Sequence, residues 1–212
     1  MTQPCVKLMW VTPEAEKLVA YMARVSNPAN QNNPASATKL LTYLIKNKHW
    51  SPFEMVNVCM EIETTRDIAR QILRHRSFSF QEFSQRYAVS EGFVQNSQAR
   101  LQDEKNRQNS LYTDDISLQN WWEGVQRRLT DEAKFLYSSA LDKGIAKEVA
   151  RKLLPEGLTM SKMYMNGTLR SWLHYIEIRC DSATQKEHRD VANQCRDIIF
   201  AEFPTFKELY EN

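Results

Sequence analysis

One short run constrains what this chain can fold into. Met55, Asn57, Cys59 and Glu61 alternate with Val56, Val58, Met60 and Ile62. Successive side chains of a strand point to opposite faces, so the alternation predicts a β-strand with one apolar and one wet face. A strand of this kind needs partners before its apolar face is buried. Val6–Val11 reads as a first strand, and Leu158–Met165 as another.

The remainder reads mostly as helix. Thr12-Pro13-Glu14 offers an N-cap, a proline at the first helical position and an acid in the first turn. Leu18, Met22 and Val25 then carry a helix to about Ser26, and the polar, proline-containing Asn27–Pro34 reads as a loop. Leu40, Leu41, Leu44 and Ile45 mark a second helix that ends near Lys46–Lys48, before the break at His49–Glu54. Thr64 or Thr65, with Asp67, reads as a cap for a helix that buries Ile68, Ala69, Ile72 and Leu73. Gly92–Ser117 is polar and aperiodic, which predicts a surface excursion. Helical spacing returns over Leu118–Leu141, Ala146–Leu154, the segment from Thr168 through Ile176, and the segment around Val191–Ile199. A helix-rich chain with a few strands that can pair into one sheet is of the α+β class.

Composition removes several function classes. A net charge of +2 over 212 residues is too small for a broadly basic nucleic-acid binder, so any anion site must come from local clustering. Cys5, Cys59, Cys180 and Cys195 form no CxxC pair, which predicts a reducing compartment and no disulfide framework. His49, His75, His174 and His188 show no metal-ligand spacing, so no metal is expected. The start Met1-Thr2-Gln3-Pro4-Cys5 has no basic segment followed by an apolar run, and no later run is long enough to span a bilayer, so a cytoplasmic protein is expected. Only five glycines occur, and none forms GxGxxG or GxxxxGK[ST]. If the chain binds nucleotides, side chains and helix ends must hold the phosphates.

The cations cluster in Arg74-His75-Arg76, with Ser84-Gln85-Arg86-Tyr87 following after Phe78, Phe80, Glu82 and Phe83. Guanidinium forks suit phosphate and carboxylate, and rings offer stacking surfaces, so the stretch reads as a grip for a phosphorylated, ring-bearing molecule. On a helical wheel with Ile68 at zero, Ile72, His75 and Arg76 fall at about 40°, 340° and 80°, which puts both cations on the apolar side. A basic last turn complementing the helix dipole accounts for these residues about equally well. Ser84 reads as a hydroxyl donor to phosphate rather than a nucleophile, because no base lies near it in sequence. Arg179 falls within about 20° of Trp172 on its helix, beside the buried stripe, where a guanidinium needs an anion or a site. Arg151, between Val149-Ala150 and Leu153-Leu154, also needs a partner. Arg170 and His174 share a polar face that reads as solvated surface, and His49 reads as a satisfied polar group at a helix end.

Arg74-His75-Arg76, seven residues, then Ser84 resembles the RHRx7S signature of flavin-dependent thymidylate synthases. Ala23–Ser26, His49-x-Ser51-Pro52-Phe53-Glu54, Ala69–Gln71, Glu148–Arg151 with Leu154-Pro155, and Arg170 through Arg179-x-Asp181-Ser182 resemble the same family. The resemblance implies a single catalytic domain over residues 1–212, built as helices around a small, mostly antiparallel sheet and assembled as a homotetramer with shared sites. It implies reductive methylation of dUMP to dTMP, with FAD as hydride carrier, NADPH as reductant and methylenetetrahydrofolate as carbon donor. For dUMP it implies Gln71, Arg74, Glu82, Phe83, Ser84, Gln85, Arg86, Arg151 and Arg179, with Arg179 catalytic through ionisation of the uracil N3. For FAD it implies Ser26, Ser51, Glu54, Arg74, His75, Arg76, Glu82, Thr168, Leu169, Arg170 and His174, with His49 at the flavin and folate end. Gln85 and Thr168 depart from the glycine and asparagine common in the family. The other reading of the residues is a non-catalytic nucleic-acid binder that uses the Arg/aromatic stretch.

Overall fold

The alternating run becomes the second strand of a four-stranded sheet. A computed structural model describes residues 5–90, 92–93 and 97–210, and only the backbone of residues 208–210. The amino-terminal residues read above for a leader, and residues 94–96 of the polar excursion, lie outside that description. Strands β1 (Cys5–Val11), β2 (Asn57–Thr65), β3 (Phe78–Glu82), β4 (Arg100–Gln102), β5 (Ser110–Tyr112) and β6 (Met160–Thr168) form two sheets. The main sheet has the order β1-β2-β6-β3, with every pairing antiparallel, and β4-β5 is a separate hairpin. Helices α1 (Ala15–Ala23), α2 (Ala37–Lys46), α3 (Arg66–Ile72), α4 (Ile116–Asp142), α5 (Lys147–Ala150), α6 (Leu169–Arg179), α7 (Lys186–Glu202) and α8 (Pro204–Tyr210) complete a helix-rich domain around a small antiparallel sheet. Among the described residues no helix is long and apolar enough to cross a membrane, and no group of His, Cys, Asp or Glu could hold a metal.

Register explains the core. Leu8, Met60, Met165 and Phe80 stand opposite one another across the four strands, as do Val6, Ile62 and Met163 in the next row. Met60, Ile62, Met163 and Met165 are fully buried beneath α6 and α7, against Trp172, Tyr175, Val191 and Cys195. The other face carries Lys7, Glu61 and Tyr164 in register. It is polar, as the alternation predicts, yet Glu61 and Cys59 are buried. Tyr164 and Lys162 cover the carboxylate: Tyr164 donates to Glu61 Oε2 at 3.0 Å and Lys162 pairs with it at 3.5 Å.

Local differences from the sequence expectation have identifiable causes. Thr12 does not cap α1, because its hydroxyl is engaged with Asn57, accepting from the backbone N–H at 2.9 Å and so latching the end of β1 to β2. The chain instead enters α1 through Glu14 in a left-handed conformation, φ 52°. That helix stops at Ala23 rather than Ser26, since Arg24 turns inward to donate to Asn33 O and Ser36 Oγ and folds the loop over itself. Thr65 precedes α3 without capping it by its side chain, and Thr64 is part of β2. The polar excursion contains the β4-β5 hairpin, and α8 extends the chain past the last predicted helix.

The sequence stretch after Arg76 is β3, whose Phe78 and Phe80 face the core. Phe78 pairs with Gly167 on β6, and its ring occupies the space where a side chain at residue 167 would stand. That placement lets Phe78 pack edge-on against Trp172, with centroids 4.9 Å apart. Gly167→Ala is therefore expected to push the ring out of its seat and cost about 1–3 kcal/mol, as overpacking of a filled core does. In a thermal melt this would lower Tm by several degrees, and an unchanged Tm would show that the ring can shift freely.

Candidate active site

Antiparallel pairing brings three chain ends together. β2 and β6 run side by side over Asn57–Thr65, and α3 follows β2 back along the sheet, so that β3 starts opposite Gly167 at the far end of β6. α6 starts at Leu169, immediately beyond. The turn over residues 73–77 and the N-terminus of α6 thus become neighbours, and Ser171 Oγ donates to Ser77 O at 3.3 Å. Thr168 caps α6, accepting from Ser171 N at 3.2 Å.

α3 ends at Ile72, so the wheel extended to His75 and Arg76 does not describe them. The chain must turn there to start β3. His75 turns inward within the turn and meets Tyr175 edge-on at 5.0 Å, while Arg74 and Arg76 are exposed. Arg179, the last residue of α6, donates its Nε–H to His75 Nε2 at 2.9 Å. Burial, with the nearby charges of Arg179, His174 and Arg74, holds the His75 pKa down to about 4. The ring is therefore neutral at physiological pH, with its proton on Nδ1, and can accept from the guanidinium without repelling it. The Arg179 Nη groups stay free for a ligand, because no carboxylate pairs with this guanidinium among the described residues.

Beside this turn lies a cleft of about 470 Å³. It brings together Glu54, Thr168, Arg170 and His174, four of the residues expected around FAD. Arg170 is exposed, as read from its polar face, and is ion-paired with Glu54. The cleft also includes Trp50, Ser77, Ser171 and Glu177, none of which the sequence singled out. Its hydroxyls and the Trp50 and His174 rings suit a flat heterocycle, although its volume holds only part of a dinucleotide. Ser26, Ser51 and His49 are exposed and do not line it, and the His49 ring lies edge-on to Tyr43. Leu169 is fully buried and can offer a ligand only main-chain atoms, of which its N–H already donates to Val56 O. A larger recess of about 770 Å³ near Cys180 contains none of the expected site residues, and its Arg196 is held by Asp197.

The second half of the stretch faces elsewhere. Glu82 accepts from Ser161 Oγ at 2.7 Å and pairs with Arg66 at 3.5 Å, which fixes its carboxylate beside α3. Phe83 is exposed, and residues 84–88 form a turn in which Arg86 Cζ lies 5.3 Å from the Tyr87 ring. Gln85 is buried and its amide donates to Ser90 Oγ, so only its backbone can meet a phosphate. Ser84 has no basic side chain within hydrogen-bond reach among the described residues, and its Oγ accepts only from the Arg86 N–H. Arg151 Nε donates to the Glu148 carbonyl, and Lys147 reaches the Tyr87 carbonyl. No hydrogen bond or ion pair joins Ser84, Arg86 or Arg151 to Gln71, Arg74 or Arg179 among the described residues.

Carboxylates neutralise some of the arginines and leave others open. Arg66, Arg70, Arg100, Arg127, Arg170 and Arg196 each meet a carboxylate. The other nine have no carboxylate partner among the described residues: Arg24 and Arg189 are spent on carbonyl and hydroxyl oxygens, Arg107 and Arg128 lie away from the expected site, and Arg74, Arg76, Arg86, Arg151 and Arg179 belong to the stretch and positions expected to hold ligands. Guanidiniums left unpaired in two clusters are ready-made anion contacts. Sequence reasoning missed the groups behind Gln71. Its Oε1 meets His188 Nδ1 at 3.2 Å and its Nε2 donates to Gln185 Oε1 at 2.8 Å, while the other His188 nitrogen meets Tyr175 Oη at 3.1 Å. His188 sits on the α7 face that carries Val191 and Cys195, a signal available from spacing alone.

Comparison with known proteins shows the family. The family described as thymidylate synthase complementing protein matches residues 7–205. A probable flavin-dependent thymidylate synthase of Paramecium bursaria Chlorella virus 1 is 53% identical over 197 residues, covering 93% of this chain and 91% of the relative. The flavin-dependent thymidylate synthase of Synechocystis is 51% identical over 211 residues, covering 100% and 96%. A UMP/dUMP methylase, PolB from Streptomyces cacaoi, solved with 5-Br dUMP, superposes with a TM-score of 0.87 at 26% identity, covering 100% of this chain and 96% of its own. The chain is an enzyme, which sets aside the non-catalytic nucleic-acid reading, and it belongs to the flavin-dependent thymidylate synthase family.

Proposed function

We propose that this enzyme methylates dUMP reductively to dTMP, with FAD as hydride carrier, NADPH as reductant and methylenetetrahydrofolate as carbon donor. The observation that carries the reading is the placement of five arginines without carboxylate partners among the described residues, Arg74, Arg76 and Arg179 around the turn after α3 and Arg86 and Arg151 beside Ser84. The relatives are named as flavin-dependent, and PolB, a UMP/dUMP methylase, holds 5-Br dUMP, which supports a uridylate substrate.

In this reading Gln71, Arg74 and Arg179 hold the base side of dUMP. Phe83, Ser84, the Gln85 backbone, Arg86 and Arg151 receive the phosphate and sugar side from another copy of the chain. Glu54, His75, Arg76, Thr168, Arg170 and His174 hold FAD, with Ser26, Ser51, Glu82 and the Leu169 backbone completing its binding from other segments or copies. His49 stands toward the folate. A homotetramer completes each site, and exposed Trp121, Leu129 and Phe135 on α4 give apolar surface for such assembly. The bound flavin supplies reversible two-electron hydride chemistry. The chain supplies position and charge: Arg179, steadied at Nε by His75, lays its free Nη groups against the uracil carbonyl edge. A fixed cation there stabilises the anion left when N3 loses its proton. Ser84 needs no base in this scheme, because it donates a hydrogen bond and attacks nothing.

Purified protein is expected to be yellow, to bleach when NADPH is added, and to form dTMP only when dUMP and methylenetetrahydrofolate are both present. Protein that cannot be loaded with FAD would overturn the reading. Arg179→Ala is expected to lower kcat/KM by about 100-fold or more, on the scale of a lost transition-state donor. Ser84→Ala should cost about tenfold, mostly in the KM for dUMP, as one lost hydrogen bond does. Steady-state kinetics distinguish the two, and a Ser84→Ala enzyme that binds dUMP but makes no dTMP would contradict the ligand role.

A further inference from the structure

A chain of hydrogen bonds links the hairpin arm to the buried core through Gln71, and its direction is fixed from one end. Arg100, on β4, pairs with Glu187 at 2.6 Å. Burial opposes ionisation of Glu187, but its own backbone N–H and Arg100 hold the carboxyl below its usual value. A carboxylate only accepts, so Gln185 must turn its amide nitrogen to Glu187, at 3.1 Å. Gln185 Oε1 then faces Gln71, which must present its nitrogen there, at 2.8 Å. That leaves Gln71 Oε1 toward His188 Nδ1, at 3.2 Å, so Nδ1 carries the ring proton. The other ring nitrogen must accept, and Tyr175 donates to it at 3.1 Å. His188 is fully buried. Its pKa is held down to about 3 by burial and by the charges of Arg179 and His75, so it stays neutral and keeps this tautomer.

We propose that His188 is a positioning residue for the nucleotide, locking the Gln71 amide so that its second N–H points outward as a donor to an acceptor oxygen of dUMP. This rests on the reading that Gln71 touches dUMP. A freely turning amide could offer the substrate either its oxygen or its nitrogen. With Oε1 turned inward to the buried His188, the second N–H is the group that the amide presents outward. A uridylate presents carbonyl and phosphate oxygens that need donors, so the lock favours substrate over any ligand that presents an N–H at that point.

The test compares His188→Phe, His188→Asn and Glu187→Gln as FAD-loaded full-length enzymes. The asparagine amide nitrogen can stand where Nδ1 stands and keep donating to Gln71, whereas phenylalanine cannot. His188→Phe is expected to raise both Kd and KM for dUMP about tenfold, the size of one lost hydrogen bond, with the loss in KM rather than kcat. His188→Asn should recover most of that binding, and Glu187→Gln, which frees the direction of the chain, should weaken dUMP by about threefold. A merely structural role would instead lower Tm, flavin content and kcat together. The proposal is overturned if His188→Phe binds dUMP like wild type, or if His188→Asn is no better than His188→Phe. If His188→Phe does not fold, Glu187→Gln decides: an unchanged KM for dUMP overturns the lock. Wild-type enzyme that binds FAD but not dUMP would sink the substrate reading itself, a failure visible before any variant is made.

Discussion

The pairing of β2 with β6 is the constraint on which the rest of the structure depends. Its register runs from Asn57 opposite Thr168 to Thr65 opposite Met160, so the ends of the two strands are tied to each other's beginnings. Each strand hands the chain directly to a helix, α3 in one case and α6 in the other. A slip of one residue would turn Met60, Ile62, Met163 and Met165 out of the core and bring Glu61 and Tyr164 in. It would also move α6 relative to the turn after α3, separating Arg179 from His75. Core packing and site geometry are therefore fixed by one register.

Within that frame, burial does electrostatic work. His75 and His188 both lie against the Arg179 guanidinium's field and both are kept neutral, chiefly because burial disfavours their charged forms. A second cation beside Arg179 would compete with it for an anionic ligand. A neutral imidazole instead accepts its Nε–H and leaves its two Nη groups uncommitted. The same lack of charge lets His188 act as a donor at one nitrogen and an acceptor at the other, which a doubly protonated ring could not do. Both histidines thus work as directional hydrogen-bonding groups, and the cationic character of the site comes from the arginine guanidiniums.

Much of this was legible where a local signal and the tertiary need coincided. The Met55–Ile62 alternation names the central strand because a half-buried strand leaves no other arrangement for those residues. The Arg74–Arg76 and Ser84–Arg86 spacing, through the family resemblance, points to the elements around the site. The alternation of Phe78 and Phe80 with Ser79 and Gln81 also encodes a strand, although the same stretch carries the cations and rings of the proposed site. Other features could not be read locally. Thr12 looks like a helix cap until Asn57, far along the chain, takes its hydroxyl. Gln85 offers a side-chain amide in the sequence, but the fold buries that amide against Ser90 and leaves only its backbone for a ligand. The route from Arg100 to Tyr175 joins β4, α7, α3 and α6, and no spacing within one element could reveal it.

The split between the two arginine clusters limits repulsion within one chain. Five guanidiniums without carboxylates near one another in a single pocket would repel strongly in a medium of low dielectric. Placing Arg74, Arg76 and Arg179 at the α3–α6 corner, and Arg86 and Arg151 beside α5, separates them within one chain. The scaffold arginines around them, Arg66 and Arg70 on α3 and Arg170 on α6, are neutralised locally by Glu82, Glu156 and Glu54. Each half can therefore fold without its anion. The full positive field arises only when the proposed assembly brings the halves of two chains to face each other, and an anionic nucleotide between them would relieve the repulsion that this creates. On this argument substrate binding and assembly strengthen one another, because the charge that makes the site attractive to dUMP also makes the empty interface unfavourable.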